Sequence, residues 1–310
     1  MTLREPQGRT ETEDFGPGLA ERVGELRSII PPKGAFRGFA SSVRGVWARR
    51  DLLGLLVSRE IKSRYKNSAL GAVWSLIRPL ALLLIYWVAV GKFLGAERSV
   101  PEFAVFLFSG LTVWTLYNEV ITGTTGSIVA NAGLIKKVYL PREIFPLAAV
   151  GSAGFNFIVM LAVLLVFTLV TGHPPRLEAL WTVPVAIVLV LLWGFAFGLL
   201  LSALDVFLRD VGYLVEIALM VLFWGSPIVY SFQFVHDYLQ GGWLEQVYLA
   251  NPVTTAVLLF QQGMWSAGPE QWLPPFTEWR IVIFLAVSLV VLWIAQRIFA
   301  RLEGSFAQEI

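Results

Sequence analysis

The stretch IFPLAAVGSAGFNFIVMLAVLLVFTLVT (144–171) carries no charged side chain, and a second one, LWTVPVAIVLVLLWGFAFGLLLSAL (180–204), follows after a short break. About 20 apolar residues in a helix cross the ~30 Å hydrocarbon core of a bilayer, and a helix satisfies its own backbone hydrogen bonds there. Two adjacent runs of this kind predict a polytopic, all-α integral membrane protein. Working outward, the same criterion gives six spans: 69–93, interrupted by Arg78-Pro79; 103–125, the most polar; 144–171; 180–204; 211–232, which contains Glu216; and 279–300.

Composition agrees. Of 310 residues, 56% are apolar and 15% charged, and the mean hydropathy is +0.67. Average soluble domains carry roughly 25% charged residues. A soluble globular chain could not hide this much apolar surface, and a disordered one would not contain it. Lys plus Arg number 24 against 22 Asp plus Glu, a net +2, which is no electrostatic footprint for nucleic acid. Cysteine is absent and there are two histidines, His173 and His236, which excludes disulfides, thiolate zinc sites and a multi-histidine metal centre.

The cations are distributed by side. Arg44, Arg49, Arg50, Arg59, Lys62, Arg64 and Lys66 precede the first span; Lys136, Lys137 and Arg142 lie between the second and third; Arg209 lies between the fourth and fifth; Arg297 and Arg301 close the chain. The opposite connections hold Lys92, Arg98, Arg176 and Arg280, and 233–276 holds no Lys or Arg. The positive-inside rule therefore puts both termini in the cytoplasm. Residues 1–45 are rich in Arg, Glu, Gly, Pro and Ser and read as a partly disordered cytoplasmic tail without a secretory signal.

Two connections exceed simple linkers. Residues 46–67 have helix-forming composition with too many charges to span; Arg59, Lys62 and Lys66 share one face, and Leu53, Val57, Ile61 and Tyr65 form a stripe. A helix lying at the cytoplasmic interface and a solvated juxtamembrane helix both fit. The connection 233–276 is long for a loop without structure and is punctuated by Asn251-Pro252 and Gly268-Pro269. It reads either as short helices half-buried in the outer leaflet or as an extracellular cap.

A search for chemistry is mostly negative. There is no phosphate-binding G-x-x-x-x-G-K-[ST] loop, no H-E-x-x-H and no G-x-S-x-G. Asp205, Arg209 and Asp210 form a cytoplasmic turn better suited to capping the fifth helix than to acid–base work. Ionisable residues within spans are costly, so Arg78, Glu119 and Glu216 stand either for snorkelling and structural ion pairs or for a polar path. Aromatics cluster inside spans: Trp74, Tyr86 and Trp87; Trp114 and Tyr117; Phe223, Trp224 and Tyr230. They fit interfacial belts and also a path for sugars, whose C–H faces stack on rings. The loop 131–145 sets an apolar patch (Leu134, Ile135, Val138, Tyr139) beside Lys136, Lys137 and Arg142; it is either a docking element for a cytoplasmic partner or an ordinary basic surface loop.

The quoted residues resemble those of the membrane subunit of ABC-2 type exporters, in the branch that exports O-antigen, teichoic acid and capsular polysaccharide. The matching stretches are RDLL…REIKSRYKNSALGAVWSLIRPL (50–80), NAGLIKKVYLPREIFP (131–146), LRD (208–210), SPIVY (226–230), NP (251–252) and RLEGSFAQEI (301–310). The resemblance implies six transmembrane helices (68–302) preceded by an interface helix, short re-entrant gate helices between spans five and six, and a cytoplasmic tail at 303–310. It implies a homodimer in the inner membrane of a bacterium, joined to two copies of a separate ATPase that holds ATP and Mg, with no cofactor on this chain. Contact with the ATPase would fall to Arg59, Lys62, Lys66, Leu134, Ile135, Lys136, Lys137, Tyr139 and Arg142. Trp74, Arg78, Tyr86, Glu216, Phe223, Trp224 and Tyr230 would line or gate a channel for a lipid-linked glycan among the membrane lipids. An ABC-2 exporter of a lipid or drug is the main rival. A polyprenyl-phosphate glycan enzyme would need an acid or histidine cluster at one membrane face, and an ion-coupled transporter an internal repeat; neither is visible.

Overall fold

The computed structural model describes residues 44–65, 73–138, 140–268 and 273–310, all within one compact unit. Among the described residues every regular element is helical. In chain order these are α1 (Arg50–Tyr65); α2 (Trp74–Tyr86), continued by a π-helix (Trp87–Phe93); α3 (Phe103–Ala130); α4 (Ala132–Ile135); α5 (Ile144–Val170); α6 (Thr182–Asp205); α7 (Val211–Trp224); α8 (Phe232–Leu239); α9 (Trp243–Leu249); α10 (Pro252–Met264); α11 (Thr277–Leu302); and α12 (Phe306–Glu309).

The most polar of the expected spans, α3, is the centre of the bundle. It packs against α5, α6 and α10, and its Phe106, Leu107, Val113 and Val120 are fully buried. Its hydroxyls explain how a polar helix can occupy that place: Ser109 and Thr112 donate to the carbonyls of Val105 and Phe108 one turn back, at 2.8 and 2.7 Å. Against α3, α6 presents Gly194 and Gly198. A Cβ at these positions would stand 2.8 Å from Val120 Cγ1 and 2.7 Å from Thr124 Cβ, so the close approach requires glycine. On its other side α6 carries α11. A second core at the far end joins Leu56, Ile128, Ile135, Phe145, Leu199, Phe299 and Phe306.

Among the described residues four helices, α3, α5, α6 and α11, are long and apolar enough to cross a membrane. The sequence predicts six spans; two shorter apolar helices, Pro79–Phe93 and Val211–Trp224, stand in the regions of the first and fifth. The region of the first span is a 13-residue α-helix extended by seven residues of π-helix. The fifth, expected to reach residue 232, stops at Trp224 after 14 residues, about 21 Å at 1.5 Å per residue. Gly225-Ser226-Pro227 turns the chain there, because Pro227 lacks the N–H a continuing helix needs.

The turn is held from α10. Asn251 caps that helix by accepting from Val253 N at 3.0 Å, and its Nδ2 donates to Ser226 Oγ at 3.1 Å. Gln261 Nε2 donates to the Pro227 carbonyl at 3.1 Å. The stretch 252–265, read as a short helix half-buried in the outer leaflet or as part of an extracellular cap, forms a helix over Pro252–Met264 that is buried along nearly its whole length between α3 and α6. Its polar side is buried too: Thr254 Oγ1 donates to the Gly225 carbonyl at 3.4 Å, and Gln261 to that of Pro227. In the long connection α8 and α9 present an exposed side, with Tyr238 and Trp243 well exposed.

Candidate functional site

Two surfaces gather the residues singled out from sequence. The first is aromatic and lies where α2, α3 and α7 meet. Tyr86 of α2 stacks on Phe223 of α7, with ring centroids 5.8 Å apart, and meets Trp224 edge-on at 6.5 Å. Trp114 of α3 lies 5.5 Å from Phe223 and 5.9 Å from Tyr117. The wall ends in hydroxyls: Tyr230 Oη donates to the Trp224 carbonyl at 2.6 Å and lies 3.3 Å from Tyr248 Oη. Tyr86, Phe223, Trp224 and Tyr230 are therefore brought together. Trp74 and Arg78 stand on α2, where the structure describes their backbone only.

Beside this wall α7 has two unlike faces. Val211, Val215 and Leu219, spaced four residues apart, face the core. Leu214, Ile217, Met220 and Val221 are more than half exposed, and Glu216 is exposed among them. An exposed carboxylate on an apolar helix is unfavourable against lipid.

The second surface joins α1 to the segment 131–145. The Arg59 guanidinium donates to Asn131 Oδ1, and Asn131 Nδ2 donates to the Ser127 carbonyl at 2.8 Å, so α1 is tied to the end of α3 where the segment begins. Lys62 is exposed on α1; Lys66 and Tyr139 lie outside the described residues. Lys136, Lys137 and Arg142 line a cleft of about 220 Å³ together with Ile135, Val138, Leu140 and Phe145. Ile135 is 8% exposed and belongs to the core below, so it anchors the turn, Leu134 is half-buried, and Val138 supplies the exposed apolar surface.

The C-terminal segment closes the cleft from behind. Phe306 is fully buried, 5.3 Å from the Phe299 ring, and the Arg142 guanidinium stands 5.6 Å over its face. Glu303, just past α11, has its carboxyl raised to about 7, by burial first and then by repulsion from Glu143, with Arg142 opposing. Asp205 accepts a hydrogen bond from the Gly212 backbone and so caps the start of α7.

Two groups stand outside the channel and docking candidates, though Glu119 is among the ionisable residues singled out within the spans. Tyr248 pairs with Tyr230 across a break in the helices, and no spacing rule signals that. The other is Glu119, whose Oε2 accepts from Arg64 Nη1 at 3.2 Å and from Asn156 Nδ2 at 2.8 Å. Its signal was present, an acid within an apolar span, and its partners were not.

Several membrane-length helices with a basic turn at one end and aromatic rings gathered along one flank define an all-helical integral membrane protein. The chain belongs to the ABC-2 type transporter family, whose model matches residues 51–265. It is 29% identical over 262 residues to an O-antigen export system permease protein RfbA of Klebsiella pneumoniae, covering 83% of this chain and 94% of that one. It is 28% identical over 271 residues to RfbA of Myxococcus xanthus, covering 86% and 98%. A shorter similarity, 35% over 81 residues, links it to the polysialic acid transport protein KpsM of Escherichia coli, covering 26% and 31%.

Proposed function

We propose that this chain is the transmembrane subunit of an ATP-driven exporter that moves a lipid-linked cell-surface polysaccharide out of the cytoplasm. The carrying observation is the aromatic cluster of Tyr86, Phe223 and Trp224, backed by buried Trp114, beside the hydroxyls of Tyr230 and Tyr248. Such a surface offers stacking to sugar C–H faces and hydrogen bonds to their hydroxyls. A hydrated polymer could not cross the hydrocarbon without one. Similarity to polysaccharide export permeases along most of the chain supports the same reading.

In this reading two copies of the chain assemble in the bacterial inner membrane with both termini in the cytoplasm, and α2 and α7 of each face the path. Two copies of a separate ATPase, holding ATP and Mg, dock on α1 and the 131–142 cleft. Closure of the ATPase biases a two-state element in the bundle. Cations along the cleft suit an acidic partner surface, and the exposed Val138 supplies an apolar contact. An exporter of a lipid or drug would use the same coupling surface.

Reconstitution in lipid discs with the co-purifying ATPase separates the substrates. Polyprenyl-diphosphate-linked glycan is expected to stimulate ATP hydrolysis, and the bare polyprenyl diphosphate is not. Val138→Asp is expected to abolish stimulation while the permease remains folded. Equal stimulation by the glycan-free lipid, or failure of any ATPase to co-purify, overturns the proposal.

A further inference from the structure

The Arg64–Glu119–Asn156 contact sits at a place the aromatic wall and the coupling cleft leave unexplained. Glu119 lies about 24 Å along a helix about 42 Å long, by the rise of 1.5 Å per residue, and so well within the span. Its carboxylate takes one hydrogen bond from Arg64, near the end of α1, and one from Asn156 on α5. The two side chains keep only 27% and 32% exposure for Glu119 and Arg64. Five residues back on α1, Arg59 reaches Asn131 at the end of α3. The helix is thus fastened to α3 at two levels. Two residues before Arg59, α1 packs on α5, where Val57 meets Gly151 so closely that a Cβ there would stand 2.7 Å from Val57 Cγ2.

The consequence concerns movement. The pair keeps about a third of its exposure and is modest in energy, but the Glu119 carboxylate, shared by Arg64 and Asn156, ties α1, α3 and α5 at one point, so a displacement of α1 bears on that carboxylate. On α3, Glu119 stands five residues from Trp114, which packs against Phe223. We propose that Arg64, Glu119 and Asn156 form a positioning relay that delivers a displacement of α1 to the middle of α3 and so to the aromatic wall. The relay rests on the reading of α1 as a surface for the ATPase; the geometry of the pair does not.

The chain has no cysteine, so nitroxide labels can be placed on Ser63→Cys and Thr122→Cys, both exposed, without removing native thiols. In the purified permease, Arg64→Glu or Glu119→Arg is expected to broaden the label distance, and the double exchange to narrow it again. In discs with the ATPase, each single reversal is expected to lower glycan exported per ATP hydrolysed about tenfold while hydrolysis continues, and the double exchange to restore it to within about twofold. Glu119→Gln, which keeps an acceptor for Asn156 and loses the charge, is expected between them. Unchanged label distances in the single variants, a double exchange no better than either single, or hydrolysis and export falling together would overturn the relay. A wild-type complex that exports no glycan would instead overturn the function proposed above, and the label distances would still judge the relay.

Discussion

Glu303 shows how one side chain at the coupling end sets a condition on the whole. Burial and the Glu143 carboxylate raise it from an ordinary 4.5 to about 7 in the folded protein. The folded state then binds more protons than the unfolded state between those two values, so stability falls as pH rises from about 4.5 to 7 and is level above. Glu303→Gln is expected to remove this slope and to raise the melting temperature at pH 8 in detergent. The gain is at most about 2 kcal/mol, because partial exposure screens the repulsion. A variant whose melting curve keeps the wild-type slope would contradict this. Single residues also show where sequence reading stops. The basic and aromatic candidates were legible because charge and ring chemistry do not depend on neighbours. Whether Ile135 faced a partner or the core did depend on them, since α4 is a single turn too short for a periodicity to show. Glu119 was visible as an anomaly, while Arg64 and Asn156 came to it only through packing.

At the level of elements, hydropathy located the long helices and misjudged the broken ones. The apolar runs at 144–171 and 180–204 became α5 and α6 within a few residues, because nothing in them interrupts a helix in hydrocarbon. The run after Val211 is as apolar, yet the chain turns at Gly225, where Asn251 and the buried Gln261 supply hydrogen bonds to the turn from another helix. Window hydropathy cannot register a stop that depends on partners far along the chain. The same blindness hid the seam between α3 and α6, where only two glycines let the backbones meet. Gly198→Leu would drive a branched side chain into Thr124, whose Cβ already lies 2.7 Å from an added Cβ. Relief requires α6 to lift from α3, and the expected loss is about 3 kcal/mol or more, seen as failure to purify or a much lowered unfolding temperature in detergent. Gly154→Leu, on α5 with open space around it, serves as the control and is expected to purify normally.

Across the whole molecule, the disposition of exposed surface decides which flank meets lipid and which meets water or a second copy. Both α5 and α7 expose apolar side chains: Ile158 is 65% exposed on the one, and Val221 is 63% exposed on the other. Burial alone does not separate these flanks. Glu216 does, because a carboxylate facing hydrocarbon is costly, and α5 carries no ionisable residue on its exposed face. The aromatic wall lies on the flank of α7, with Tyr86 and Phe223 stacked. If that flank borders an aqueous path between two copies, a thiol there must react with a charged, water-borne reagent. Glu216→Cys in the otherwise cysteine-free chain is therefore expected to react with a sulfonated maleimide in sealed, then opened, vesicles, and Ile158→Cys is expected to stay unreactive. Equal protection of both thiols would mean that α7 faces lipid, and the energetic cost of Glu216 would then need a cationic partner from a neighbouring chain.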